Sequence, residues 1–227
     1  MIIGNPKVSI LLTSYDNPMI KDAIESVLNQ TYKNFELILL DDNSNKKTQE
    51  IYTKYNDPRI VLYNSHVTEK GRKKECPYAR QINVGLKMAT GKLITYMCDD
   101  TTYLPEKLEK VVKFLKRHPK VRVCYNRQEQ KNKKGDALRI LASDRILRDP
   151  FGRVDHSSVT HYKKCVDKVG DWDTNPPSFA LGDAYFWRKL AKEYLFYPIL
   201  EVLETNIVHD KSFSSKFLKE KLNKKYE

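Results

Sequence analysis

Five short apolar runs, separated by segments with helical spacing, constrain this 227-residue chain more than any other feature. They lie at residues 8–13, 35–40, 60–63, 93–97 and 121–125, and each is followed by polar or turn-forming residues. Hydrophobicity without strict alternation suits a strand buried on both faces, so the runs read as strands of a parallel sheet. Between them, Ile20, Ala23, Ile24, Val27 and Leu28 share one helical face. Ile82, Leu86 and Ala89 do the same ahead of Gly91, which reads as a helix stop. Pro105 fits a first helical turn, with Leu108, Val111, Val112 and Leu115 as the inward stripe. This β-α-β-α order predicts an α/β fold: a mostly parallel central sheet, flanked by helices on both faces, with right-handed crossovers.

Such sheets bind ligands beyond the carboxyl ends of their strands. The segments there are Thr13-Ser14-Tyr15-Asp16, Asp41-Asp42-Asn43-Ser44 and Asp99-Asp100-Thr101-Thr102. Successive side chains of an extended segment point opposite ways, so Asp99 and Asp100 suit different tasks, one on a sugar hydroxyl and one on a divalent cation. Mg²⁺ or Mn²⁺ needs only one or two protein carboxylates when phosphate oxygens and water complete its shell. The competing reading of each acidic pair is a helix cap or an Asx turn.

From residue 128 to about 177 the periodicity dissolves into charged, turn-rich sequence, broken by Asp149-Pro150-Phe151-Gly152 and Asn175-Pro176-Pro177. This stretch reads as acceptor-side loops on the same fold. The expected division is one domain: residues 1–127 with the strand ends that would bind a ligand, the loop-rich half 128–213, and a basic amphipathic helix over 214–227. Lys and Arg total 41 against 29 Asp and Glu, giving +12 and favouring a polyanionic partner, an anionic ligand or an anionic membrane surface. Cys76, Cys98, Cys124 and Cys165 form no C-x-x-C pair and read as reduced thiols of a cytoplasmic protein. No run approaches the length of a transmembrane segment, and the N-terminus lacks the pattern of an export signal.

The segments Val8-Ser9-Ile10-Leu11-Leu12-Thr13-Ser14-Tyr15, Ser26-Val27-Leu28-Asn29-Gln30-Thr31-Tyr32 and Phe35 through Ser44 together resemble the opening of the family 2 inverting glycosyltransferases, which have the GT-A fold, a Rossmann-like nucleotide-diphospho-sugar transferase architecture. Ala79-Arg80-Gln81-Ile82-Asn83-Val84-Gly85 and Asp99-Asp100 fall where that family has its arginine helix and acidic metal motif. Asp155-His156-Ser157-Ser158-Val159, Gly182-Asp183-Ala184-Tyr185-Phe186-Trp187-Arg188 and Phe196-Tyr197-Pro198 are similar to its spore-coat polysaccharide members. The resemblance implies transfer of a sugar, with inversion, from a UDP- or dTDP-sugar donor to a hydroxyl of a glycan or other acceptor in spore-coat or cell-surface polysaccharide synthesis, at or near the forming spore surface.

Carried over by position, the resemblance implies that Thr13 and Tyr15 line the base, that Asp42 accepts its N–H, and that Arg72 and Arg80 belong to the donor-binding set. It implies Asp99 on the ribose, Asp100 on the Mn²⁺ or Mg²⁺ that bridges the diphosphate, and Asp183 as general base. The residue after Asp100 is Thr101, so the family's usual Asp-x-Asp is reduced to an adjacent pair. Asp155 and Trp187 are acceptor-side candidates; Phe179, Tyr185 and Phe186 supply further aromatic surface, for which ordinary core packing is the alternative. Asp155, His156 and His161 match no common zinc spacing. His209-Asp210 is placed to meet the diphosphate.

Two other classes stand beside this reading. A basic nucleic-acid-binding module would use the Lys70-Gly71-Arg72-Lys73-Lys74 and Lys131-Asn132-Lys133-Lys134 clusters, but no stacking aromatics are interleaved with them, so no nucleic acid is expected. A catalytically silent relative would keep the fold and bind only nucleotide or a partner.

Overall fold

A computed structural model describes residues 4–72, 74–141, 143–175 and 181–209. The expected helix over 214–227, together with Lys73, Pro176, Pro177, Phe179 and Asp210, lies outside the described residues.

The sheet is organised around β1 (Val8–Ser14), whose backbone is paired on both sides by parallel strands, β2 (Phe35–Asp41) and β4 (Leu93–Cys98). Both neighbours shield it from water, and Ile10, Leu11 and Leu12 are fully buried, which is why this run is apolar on both faces. Register then sets the site. Ser14 lies opposite Asp41, and Thr13 opposite Cys98, so the three strands end at one level with Tyr15, Asp42 and Asp99 just beyond.

The run at 60–63 forms β3 (Ile60–Asn64), parallel to β2. It is an edge strand with Val61 and Leu62 exposed, a correction to its reading as buried: with a single neighbour, one flank stays open to solvent. Beyond β4 the nine-stranded sheet becomes mixed, in the order β3-β2-β1-β4-β8-β6-β9-β5, where β5 is Thr101–Tyr103, β6 Val123–Lys131, β8 Val159–Tyr162 and β9 Phe196–Ile207. β8 runs antiparallel to both β4 and β6, and β9 parallel to β6. Strand β7 (Ala137–Leu141) folds back on β6 as a hairpin whose turn carries the Lys131 to Lys134 cluster.

The helices follow the expected stripes. α1 (Ile20–Leu28) buries Ile20, Ala23, Ile24 and Val27, and α5 (Lys107–Arg117) buries Leu108, Val111, Val112 and Leu115. α2 (Lys46–Tyr52) is capped by Asn45, whose side chain accepts from the Thr48 N–H at 3.0 Å. In α4 (Pro77–Met88), Gly85 sits so close to Leu11 and Leu40 that a Cβ there would overlap Leu40. Gly91 is not the helix stop. Its N–H donates to Ser9 Oγ at 2.9 Å, and a Cβ would collide with the β1 backbone, so close approach of strand to strand selects glycine there. Short helices α3 (Glu69–Arg72) and α6 (Lys164–Val169) and the longer α7 (Gly182–Ala191) complete the set.

Candidate active site

The two acidic pairs divide their tasks by direction. Asp41, fully buried, accepts from the Ser44 N–H at 3.0 Å and from Asn64 Nδ2 at 2.8 Å, so it closes the turn, the structural role considered for these pairs. Its neighbour Asp42 turns the other way. One oxygen takes Arg80 at 3.0 Å and Ser65 Oγ at 3.0 Å; the other lies 3.1 Å from Arg72. The Arg72 guanidinium also lies over the Tyr15 ring, 3.1 Å from its centroid. Tyr15, Asp42, Arg72 and Arg80, separated in sequence, are thus one constellation, with Thr13 beside it at the end of β1.

Asp99 accepts from the Tyr15 N–H at 3.1 Å and from Asn17 Nδ2 at 2.7 Å, tying the loop after β1 to the end of β4. Burial, with the Asp100 carboxylate beside it, pushes the Asp99 carboxyl up to about 7. Asp100 points away from those partners: Asn206 Nδ2 donates to its Oδ1 at 2.9 Å, and His209 Nε2 lies 3.3 Å from its Oδ2. A carboxylate oxygen and an imidazole nitrogen at this separation, with an aspartate next door, fit a cation that takes mixed oxygen and nitrogen donors and fills its shell from phosphate and water. Among the described residues no group of three or more such ligands converges, so the protein would supply only part of the shell.

Asp183 and Asp155, expected on the acceptor side, come from segments that follow β7. Asp183 stands in the first turn of α7, where the Ala184 N–H donates to its Oδ1 at 2.8 Å, and burial lifts its carboxyl from 3.8 to about 6. Gly182, the residue before it, clears space for Tyr78, whose hydroxyl a Cβ at 182 would overlap. Asp155 caps a 3-10 turn by accepting from the Ser157 N–H at 2.9 Å, and burial with the nearby Glu204 pushes it up to about 7. The Cys98 thiol at the tip of β4 is raised first by burial and then by Asp100, Asp155, Asp99 and Asp183, so carboxylates from three separate segments act on it.

Trp187 is corrected. It is fully buried, packed among Tyr96, Trp172, Phe186 and Phe196, and touches no cleft. Phe186 is buried in the same cluster, stacked on Trp172 at 4.7 Å, while Tyr185 is exposed. A run of consecutive aromatic residues, Tyr185-Phe186-Trp187, suits a core as well as a sugar platform, and here Phe186 and Trp187 belong to the core. His156 and His161 are buried and held neutral, their pKa values lowered to about 3 and about 4 by burial. Asn17, Asn206, Tyr78 and Gln128 are site residues that the sequence reasoning missed; single Asn, Gln or Tyr residues carry no spacing signal. No cysteine among the described residues is in a disulfide.

Among the described residues, no helix is long and apolar enough to cross a membrane. The chain is 36% identical over 222 residues to protein CgeD of Bacillus subtilis, covering 93% of this chain and 52% of CgeD. It is 35% identical over 114 residues to the glycosyltransferase RP339 of Rickettsia prowazekii, covering 50% of this chain and 33% of that protein. The chain thus spans about half or less of the length of these relatives. Among solved structures, residues 1–349 of TarS from S. aureus in complex with UDP-GlcNAc superpose with a TM-score of 0.74 at 16% identity, over 92% of this chain and 61% of that one. The mannosyltransferase PcManGT from Pyrobaculum calidifontis, in complex with GDP-Man and Mn²⁺, gives 0.67 at 14% identity, over 96% and 61%. These likenesses establish the GT-A fold. Residues 9–226 match the profile of glycosyl transferase family 2, and the chain belongs to that family.

Proposed function

We propose that this chain transfers a sugar, with inversion, from a UDP- or dTDP-sugar to a hydroxyl of a glycan acceptor in spore-coat or cell-surface polysaccharide synthesis. The observation that carries the reading is the Tyr15–Asp42–Arg72–Arg80 constellation, tied through the Tyr15 N–H to Asp99 at the end of β4 with Asp100 beside it. Tyr15 offers a face for the base, with Thr13 at its side, and Asp42 accepts the N3–H shared by uracil and thymine. Arg72 and Arg80 already neutralise Asp42, so the slot for the base is formed before the donor arrives. Asp99, fixed by Tyr15 and Asn17, takes the ribose.

Asp100 and His209 are the residues that would hold Mn²⁺ or Mg²⁺, which when bound offsets charge on the departing diphosphate. Asp183 takes the proton of the attacking hydroxyl from the acceptor side. Its pKa near 6 keeps it ionised at neutral pH and makes it a stronger base than an ordinary aspartate. Asp155 faces the same cleft as a contact for the acceptor. TarS solved with UDP-GlcNAc and PcManGT solved with GDP-Man and Mn²⁺ support a nucleotide-sugar donor and a metal. The test is calorimetry of UDP, dTDP, GDP and CDP with Mn²⁺, followed by nucleotide release from the matching sugars. Binding of UDP or dTDP with turnover is expected; GDP preference, or binding without turnover of any sugar, overturns the reading.

A further inference from the structure

Beneath the acceptor side lies an ion pair that the mechanism above does not use. Lys107 of α5 and Glu204 of β9 are both fully buried and in contact. Lys107 Nζ also donates to the Ser157 carbonyl at 2.8 Å and lies 3.5 Å from the centre of the Tyr103 ring. Two charges out of water are costly to keep, and a fully hydrogen-bonded arrangement is what offsets that cost. Glu204 Oε1 accepts from Ser158 Oγ and from Gln128 Nε2, each at 2.9 Å. The same Gln128 nitrogen donates to Asp155 Oδ1 at 2.8 Å. An amide has two N–H donors, and Gln128 uses both on carboxylates, so it acts as a rigid bridge between a sealed carboxylate and one in the cleft.

Asp155 Oδ1 is thereby occupied by Gln128 and by the Ser157 N–H, whereas Oδ2 has no donor among the described residues. Two residues along β9, Asn206 lies on the same strand face as Glu204 and holds Asp100 and Thr101. One strand therefore sets the carboxylate of the donor side and that of the acceptor side at a fixed separation. We propose that Gln128, backed by the Lys107–Glu204 pair, is a positioning residue that presents Asp155 Oδ2 to the acceptor hydroxyl, opposite Asp183. This rests on the glycosyl-transfer reading above.

The test uses the full chain with Gln128→Met, which keeps length and removes both donors, and Asp155→Asn, alone and combined. Three quantities are read: the Asp155 carboxyl titration by ¹³C NMR, UDP affinity with Mn²⁺ by calorimetry, and UDP release from UDP-glucose and UDP-N-acetylglucosamine. Asp155 faces Glu204, which keeps Lys107 and Ser158 in Gln128→Met, and Asp183, so loss of the N–H donor is expected to move its titration upward by on the order of half a unit. UDP affinity should stay within about twofold while turnover drops on the order of tenfold, and the double variant should be no worse than Asp155→Asn. An unmoved Asp155 titration overturns the proposal, as do additive losses or a fall in UDP affinity that parallels turnover. If Gln128→Met does not fold, Gln128→Asn, which withdraws the amide by one methylene, is read in the same way. A wild-type chain that fails to bind UDP refutes the glycosyl-transfer reading instead, and the NMR titration still decides whether Gln128 positions Asp155.

Discussion

Replacing Asp183 by Asn should inactivate the protein and stabilise it at once. Burial raises the carboxyl from 3.8 to about 6, a shift of about two units, which corresponds to an upper bound of about 3 kcal/mol of disfavoured ionisation at neutral pH. The folded state binds the proton more tightly than the unfolded chain, so the Asp183 contribution to stability is most favourable below about pH 4 and is lost as pH rises through 6, where the buried group is forced to ionise. Asn keeps an oxygen for the Ala184 N–H and carries no charge. It also removes the Asp183 contribution that raises Asp155.

Allowing for the cost of burying an amide, a gain of about 1–2 kcal/mol at pH 7.5 is expected, or roughly 3–6 °C in Tm. The gain should vanish near pH 4. Turnover of a UDP-sugar should fall on the order of a hundredfold or more with UDP affinity unchanged, and wild-type kcat should drop about fivefold between pH 6 and pH 5. Urea unfolding of both proteins at pH 4, 6 and 7.5, with UDP release over the same range, is the assay. A variant less stable than wild type at pH 7.5, or one with full turnover, would refute the assignment of Asp183 as a strained base.

Asp100→Ala should abolish the enhancement of UDP binding by Mn²⁺, measured by calorimetry with and without the metal; an undiminished enhancement removes Asp100 from the cation. Asp42→Ala should shrink the preference for UDP over CDP on the order of tenfold, because a charged acceptor facing the N3–H is lost; an unaltered ratio counts against that contact. Glu36 is held down to about 2, against its own burial, by Lys7, Ser9 and Thr90. Its stabilising effect is present above the usual 4.5 and is lost as pH falls toward 2. Glu36→Gln should therefore cost on the order of 2 kcal/mol at pH 7 and almost nothing near pH 2, read by urea unfolding at the two pH values.

What the sequence made legible follows where its core is apolar. Runs 8–13, 35–40 and 93–97 are strands because Ile10, Leu37 and Ile94 are sealed on both faces, and the acidic pairs after two of them mark where the sheet stops shielding the backbone. The run 121–125 marked only the start of β6, and the rest of that strand and all of β9 escaped notice because their interior is polar. Gln128, Gln130 and Glu204 are buried, yet in sequence they look like solvent-facing residues, and only their hydrogen-bond partners explain the burial. Trp187 failed for the opposite reason: it is apolar enough for either place, and no local signal separates a core indole from one that meets a sugar.

The position of the cleft follows from topology. The chain proceeds from β1 to β2 to β3 in one direction, then returns to place β4 on the other flank of β1, so the order reverses between β1 and β4. Helix α4 covers the face that carries Leu11 and Leu40, whereas Tyr52 of α2 reaches Asp41 on the opposite face. In open α/β sheets a crevice lies beyond the carboxyl ends of the strands where the order reverses. Tyr15 and Asp99 stand on its two lips, and the N–H of one bonds to the carboxylate of the other across it. The parallel half needs no special sequence to make this opening; it needs only short polar side chains to keep it from closing on itself. Beyond β4 the antiparallel β8 and the long β9 bring back residues from far along the chain, so Asp155, Asn206 and His209 reach the same strand end as Asp99. A reversal in strand order thus creates the crevice, and a change in strand direction delivers a second set of polar groups to its edge.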